Sequence, residues 1–148
     1  MSKKARAVHI QGVTFMGVAD SRHWVPMDGP TQFGGADAGT RPKELVLLAL
    51  AGCTGSDVAS ILTKMRVPFT KYQVEIEAEL AAEHPKVFTT IEITHKFWGE
   101  GLDTSKLERA IELSETTYCA VSAMLRPSVE IKTRHEVNPA DDAFVAGN

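Results

Sequence analysis

One helix constrains this sequence more than any other feature. Every residue from Leu45 to Ala51 is apolar, and the pattern continues at Val58, Ile61, Leu62 and Met65. That spacing predicts a helix of about 25 residues, closing at Val67-Pro68. Thr40 can cap it, and Pro42 suits its first turn, where a missing N–H is harmless. The first half is apolar on all sides, so it is expected to be buried on all sides. In a chain of 148 residues one sheet cannot provide that cover, whereas a partner subunit can. Ala49, Ala51, Gly52 and Gly55 cluster around Cys53 and permit very close packing. Each glycine costs the helix roughly 1 kcal/mol relative to alanine, which a close-fitting neighbour would explain.

Around this helix the period changes to two. Residues 7–17 and 23–27 predict strands, and residues 28–40, rich in Gly, Asp and Pro, predict a loop. Residues 71–80 and 87–97 alternate cleanly and, joined by the turn-like AAEHPK, predict an antiparallel pair. Asp103 or Thr104 can cap a helix running to about Thr117. A break near Tyr118, a short helix over 119–125 and a last strand over 128–137 complete the order. Strands and helices do not alternate one to one, so the expected class is α+β with largely antiparallel sheets. The whole of 1–148 is expected to form one domain, with ends near 1–6 and from 138 flexible.

The charge balance excludes several functions. Net charge is −3 and the only basic cluster, Lys3, Lys4 and Arg6, is short, so no nucleic-acid surface is expected. No uninterrupted run of about 18 apolar residues occurs, so no membrane span is expected. The N-terminus lacks a secretory pattern, which makes the cytoplasm the expected compartment. Thiols are normally reduced there, and a persistent structural disulfide is not expected.

The two cysteines, Cys53 and Cys119, therefore stand out. They lie 66 positions apart and outside any C-x-x-C pair. Both are open to a plain reading as small buried apolar side chains. Cys53 sits about three turns into its helix, too far from the N-terminal dipole to be activated by it. Cys119 starts a new helix, where free backbone N–H groups can stabilise a thiolate. Together they can support a cycle of peroxide attack, sulfenic acid and disulfide, restored by an external dithiol. Arg22, His23, Glu44 and Glu115 are candidates to activate or orient such a site, although such residues are more often plain surface charges. The five histidines show no metal-ligand spacing, and two cysteines cannot supply a four-thiolate zinc site. No metal site and no cofactor is therefore assigned.

The segment RPKELVLLALAGCTGSDVASIL (41–62) resembles the central-helix motif of the OsmC/Ohr superfamily, the osmotically inducible and organic hydroperoxide resistance proteins. The segment LSETTYCAVSAML (113–125) resembles the same superfamily, and the stretch from Glu44 to Val58 looks closest to its YhfA-like branch. The resemblance implies an intertwined homodimer, with sheets wrapped around long central helices and sites at the subunit interface. It implies a cysteine-based, peroxiredoxin-like peroxidase acting on organic hydroperoxides, with Cys53 attacking and Cys119 resolving. It also implies reduction by an external dithiol, a dihydrolipoyl protein in Ohr-type members. Those members carry a glutamate ten positions before the first cysteine. Lys43 stands there in this sequence, with Glu44 one step on, rotated by about 100 degrees. A non-catalytic protein that binds a small hydrophobic ligand, or senses redox state, is the alternative on the same fold.

Overall fold

The computed structural model describes residues 1–140 of the protein. They fall into two compact units, Met1–Leu48 and one that begins at Ala49.

The first unit is built on a three-stranded antiparallel sheet, β1 (Ala5–Gln11), β2 (Thr14–Ala19) and β3 (Trp24–Met27), in that order. The single strand expected over 7–17 is thus a hairpin. The chain reverses at Gly12, which has a φ of 50° and whose Cβ, if it had one, would lie 2.6 Å from the Gly34 carbonyl oxygen. Both arms carry alternating apolar residues, which hid the turn. The register puts Val8, Met16, Val18 and Trp24 on one face and Phe15 and Val25 on the other. Val8, Phe15, Trp24 and Val25 are all exposed.

The loop after β3 is organised by Asp28. Its buried carboxylate accepts backbone N–H groups from Gly29, Ala36 and Ala38 at 2.7, 3.0 and 3.1 Å. Burial opposes the charge, but these bonds and the Thr14 hydroxyl outweigh it and hold the carboxyl below its usual range.

The central helix, α1 (Pro42–Lys64), starts one residue later than a Thr40 cap would place it. The Arg41 N–H donates to Glu44 Oε2 at 3.0 Å, so Glu44 serves the helix start as one half of a capping box. Thr40 pairs with Met27 instead. The expected burial on all sides is a stripe: Leu50, Thr54, Val58 and Leu62, each one turn apart, are buried, while Leu48 and Gly52 are exposed. By length and mean hydropathy, 1.8, α1 could cross a membrane, a test that core helices of soluble folds also pass.

The second unit joins the rest of α1 to a sheet ordered β4 (Lys71–Leu80), β5 (Phe88–Trp98) and β6 (Glu130–Val137). β4 and β5 are antiparallel, as expected, but β6 runs parallel to β5. A parallel neighbour needs a crossover, here made by α2 (Thr104–Leu113) and α3 (Ala120–Leu125). Asp103 caps α2, accepting from the Ser105 and Lys106 N–H groups. Val58, Leu62, Val67, Phe97, Leu107, Ala110 and Ile111 form the core. Asn138 bonds Gly99 through both its amide atoms at 3.0 Å, and the Trp98 indole donates to the Pro139 carbonyl at 2.9 Å. Beyond Ala140, the tail expected to be flexible lies outside the described residues.

Candidate functional site

The second unit brings the two cysteines together. Two features of the local chain do this. On α1, Cys53 lies one turn before Asp57, and the buried Thr54 beside it faces α2's end. On the other side, α2 does not stop at Leu113 but widens into a π-type turn over Ser114–Tyr118. That turn closes with the Cys119 N–H donating to the Ser114 carbonyl five residues back, at 2.8 Å. Cys119 then caps α3, and its Sγ accepts the Ser122 N–H at 3.4 Å.

The result is a compact cluster. The sulfurs of Cys53 and Cys119 and a carboxylate oxygen of Asp57 all lie within 4.8 Å of one another. The two thiols are thus near neighbours, and each lies close to the Asp57 carboxylate. Ser114, fully buried, links the cluster to the helix: its hydroxyl donates to Asp57 Oδ2 at 3.1 Å and lies 3.0 Å from the Thr54 hydroxyl. Cys53 is half-buried and Cys119 is buried.

The helix-start reading of Cys119 is half correct. The Ser122 N–H does favour its thiolate, but burial outweighs it and pushes the thiol up to about 11. The neighbouring Cys53 thiol and the Asp57 charge push it the same way. Cys119 is therefore a thiol near neutral pH.

Beside Asp57 opens a cavity of about 380 Å³, lined by Ser60, Ile61, Lys64, Met65, Leu113 and Tyr118. Ser60, Ile61 and Lys64 follow Asp57 at three, four and seven positions, which is one face of α1, and Met65 lies just past its end. Its walls are mainly apolar, and Asp57 and Lys64 are the charged residues among them.

The other sequence candidates have separate settings. Glu115 is ion-paired with Arg126 at 3.2 Å and accepts the Thr133 hydroxyl. Arg126 Nε in turn donates to the Ser122 hydroxyl at 3.2 Å, so Glu115 reaches the Cys119 cap only through two other residues. Arg22, His23 and Glu44 belong to the first unit. Arg22 is exposed in a left-handed turn with φ 63°. His23 lines a groove of about 430 Å³ with Ala7, Gly17, Val25, Met27 and Leu45. Glu44 caps α1. Sequence reasoning passed over Asp57, Thr54 and Ser114. The four-residue step from Cys53 to Asp57 was the available signal for the first; nothing local marks the other two.

Comparisons with known proteins identify the family and the fold. Residues 34–134 match the family described as OsmC-like protein. Protein YhfA of Escherichia coli K12 is 36% identical over 134 residues, covering 90% of this chain and 97% of that protein. The crystal structure of a hypothetical protein from Aquifex aeolicus VF5 superposes with a TM-score of 0.81 at 28% identity, covering 93% and 97% of the two chains. An organic hydroperoxide resistance protein, OsmC, from Legionella pneumophila shares the fold with a TM-score of 0.69 at 19% identity, over 93% of this chain and 98% of that one.

Proposed function

The chain belongs to the OsmC-like protein family, and from that premise we propose that it is a cysteine-based peroxidase for organic hydroperoxides. The observation that carries this reading is the meeting of Cys53 and Cys119, 66 positions apart in sequence and with sulfurs within 4.8 Å in the fold. The half-buried Cys53, as thiolate, attacks the terminal oxygen of a hydroperoxide. The O–O bond breaks, the alcohol leaves with a proton, and Cys53 becomes a sulfenic acid. The Cys119 thiol then attacks that sulfur, forming the disulfide and releasing water. An external dithiol, of the dihydrolipoyl type, returns both thiols by exchange. The apolar walls of the cavity beside Asp57 suit the alkyl part of such a substrate.

The working form is a homodimer in the cytoplasm. Both faces of the first unit's sheet carry exposed apolar side chains, and α1 is buried along only one stripe. A second copy supplies the missing cover.

Dithiol-dependent consumption of cumene hydroperoxide tests the reading. Wild type is expected to turn over, Cys53→Ser to lose activity, and Cys119→Ser to stop after one equivalent. Unchanged turnover by Cys53→Ser would sink it. One observation favours the alternative of a redox-sensing or ligand-binding protein: Asp57 places a negative charge beside both sulfurs, which disfavours thiolates. Binding of a hydrophobic ligand without peroxide turnover would support that alternative.

A further inference from the structure

The same cluster has a second chemistry. Two sulfurs and one carboxylate oxygen within 4.8 Å are a mixed soft and hard donor set. Tetrahedral zinc holds sulfur at about 2.3 Å and oxygen at about 2.0–2.2 Å, which sets neighbouring ligand atoms about 3.5–3.8 Å apart. Rotations that draw these side chains in by about an ångström close the set. Two of the three ligands already have outer partners that orient them: the Ser114 hydroxyl on Asp57 and the Ser122 N–H on Cys119. Asp57 also lines the open cavity, which leaves room for a water as fourth ligand.

We propose that Cys53, Asp57 and Cys119 bind one zinc ion in the reduced protein. Binding displaces the two thiol protons, and the ion balances two of the three negative charges that result. Two thiolates favour zinc over magnesium or calcium, which prefer oxygen ligands. The disulfide uses up both sulfurs, so zinc and the disulfide exclude each other. The ion shields Cys53 from peroxide, and oxidation expels the ion. This stands on the geometry of the three side chains and does not need the protein to be a peroxidase.

The test is titration of the fully reduced protein with zinc in competition with a chromophoric chelator, with cobalt(II) as spectroscopic probe. One zinc per chain and a thiolate-to-cobalt charge-transfer band are expected. Asp57→Asn is expected to weaken zinc binding roughly 10-fold or more. The double variant Cys53→Ser/Cys119→Ser and the oxidised wild type are expected to lose both signals. The oxidised wild type needs no substitution, so it answers even where a variant misfolds. Equal zinc affinity in reduced and oxidised protein, or a cobalt complex without thiolate bands, would overturn the proposal. Peroxide turnover is measured separately, so failure of one reading leaves the other standing.

Discussion

Tyr72 Oη and His95 Nδ1 lie 2.7 Å apart, in rings only 7° from parallel, inside the second unit. Phe97 continues the stack, 4.6 Å from Tyr72 between centroids. The other ring nitrogen of His95, Nε2, is buried and has no hydrogen-bond partner among the described residues. Burial, with His135 as a like charge, lowers the His95 pKa from 6.5 to about 4.

The sign of the resulting pH dependence follows directly. On acidification the unfolded chain takes up the proton first, near pH 6.5, while the folded one resists it until about pH 4. The contribution of His95 is therefore complete above that window and is lost as pH falls through it. Between pH 7 and pH 5 the wild type is expected to lose about 2 kcal/mol more stability than His95→Phe. Urea unfolding at the two pH values measures the difference, and parallel losses would contradict it.

The cysteines are expected to label in a fixed order. Cys53 is half-buried, while Cys119 is buried with its thiol pushed up to about 11. Iodoacetamide at neutral pH should modify Cys53 first, with Cys119 following only as the pH rises or the chain unfolds. Peptide mass spectrometry over a time course reads the order. Faster modification of Cys119 would mean that its helix-start N–H governs after all.

Ser114→Ala removes the hydroxyl that joins Thr54 to Asp57. The buried Thr54 and the half-buried Asp57 would each be left short of a hydrogen bond, a loss of about 1–3 kcal/mol. Chemical denaturation of the reduced variant checks this. A slower approach to the disulfide after one equivalent of peroxide is also expected, because Asp57 loses its anchor.

At Gly52 a Cβ would meet nothing within 4 Å in the single chain. Taken alone, Gly52→Ala would stabilise α1 by roughly 1 kcal/mol. If a second copy packs on this face, a larger side chain must clash instead. Gly52→Leu is therefore expected to shift the protein from dimer to monomer in light scattering coupled to size exclusion. A dimer of unchanged stability would remove this face from the interface.

Asp28→Ala should free the loop over 28–40. Three backbone N–H groups lose their shared acceptor together. Limited proteolysis is expected to cut the variant within this loop well before the wild type, and equal cutting would mean the loop holds itself.

What could be read in advance follows the range of the interactions. The long helix, the antiparallel pair of β4 and β5, the Asp103 cap and the interruption before Cys119 are local patterns, and all were legible. The hairpin at Gly12 was missed because apolar alternation runs through both of its arms. The direction of β6 was missed because it depends on how a crossover lands, which no periodicity records. The cysteine pair was legible as two motifs, yet its neighbours were not: Ser114 reaches Asp57 across 57 positions, a relationship that exists only after packing. Burial, likewise a property of the packed chain, reversed the sign expected for Cys119.

The π-type turn at Ser114–Tyr118 holds one residue more than a regular spiral would use. Deleting one of the exposed threonines there, Thr116 or Thr117, would let α2 run on in ordinary register. The chain beyond it would be turned by about 100 degrees, carrying the second sulfur off the face that meets Cys53. Core residues before Ser114 would keep their places. Chain length in this one segment thus acts as a phase setting: among sequences sharing this architecture, those lacking the extra residue are expected to fold alike and be chemically silent.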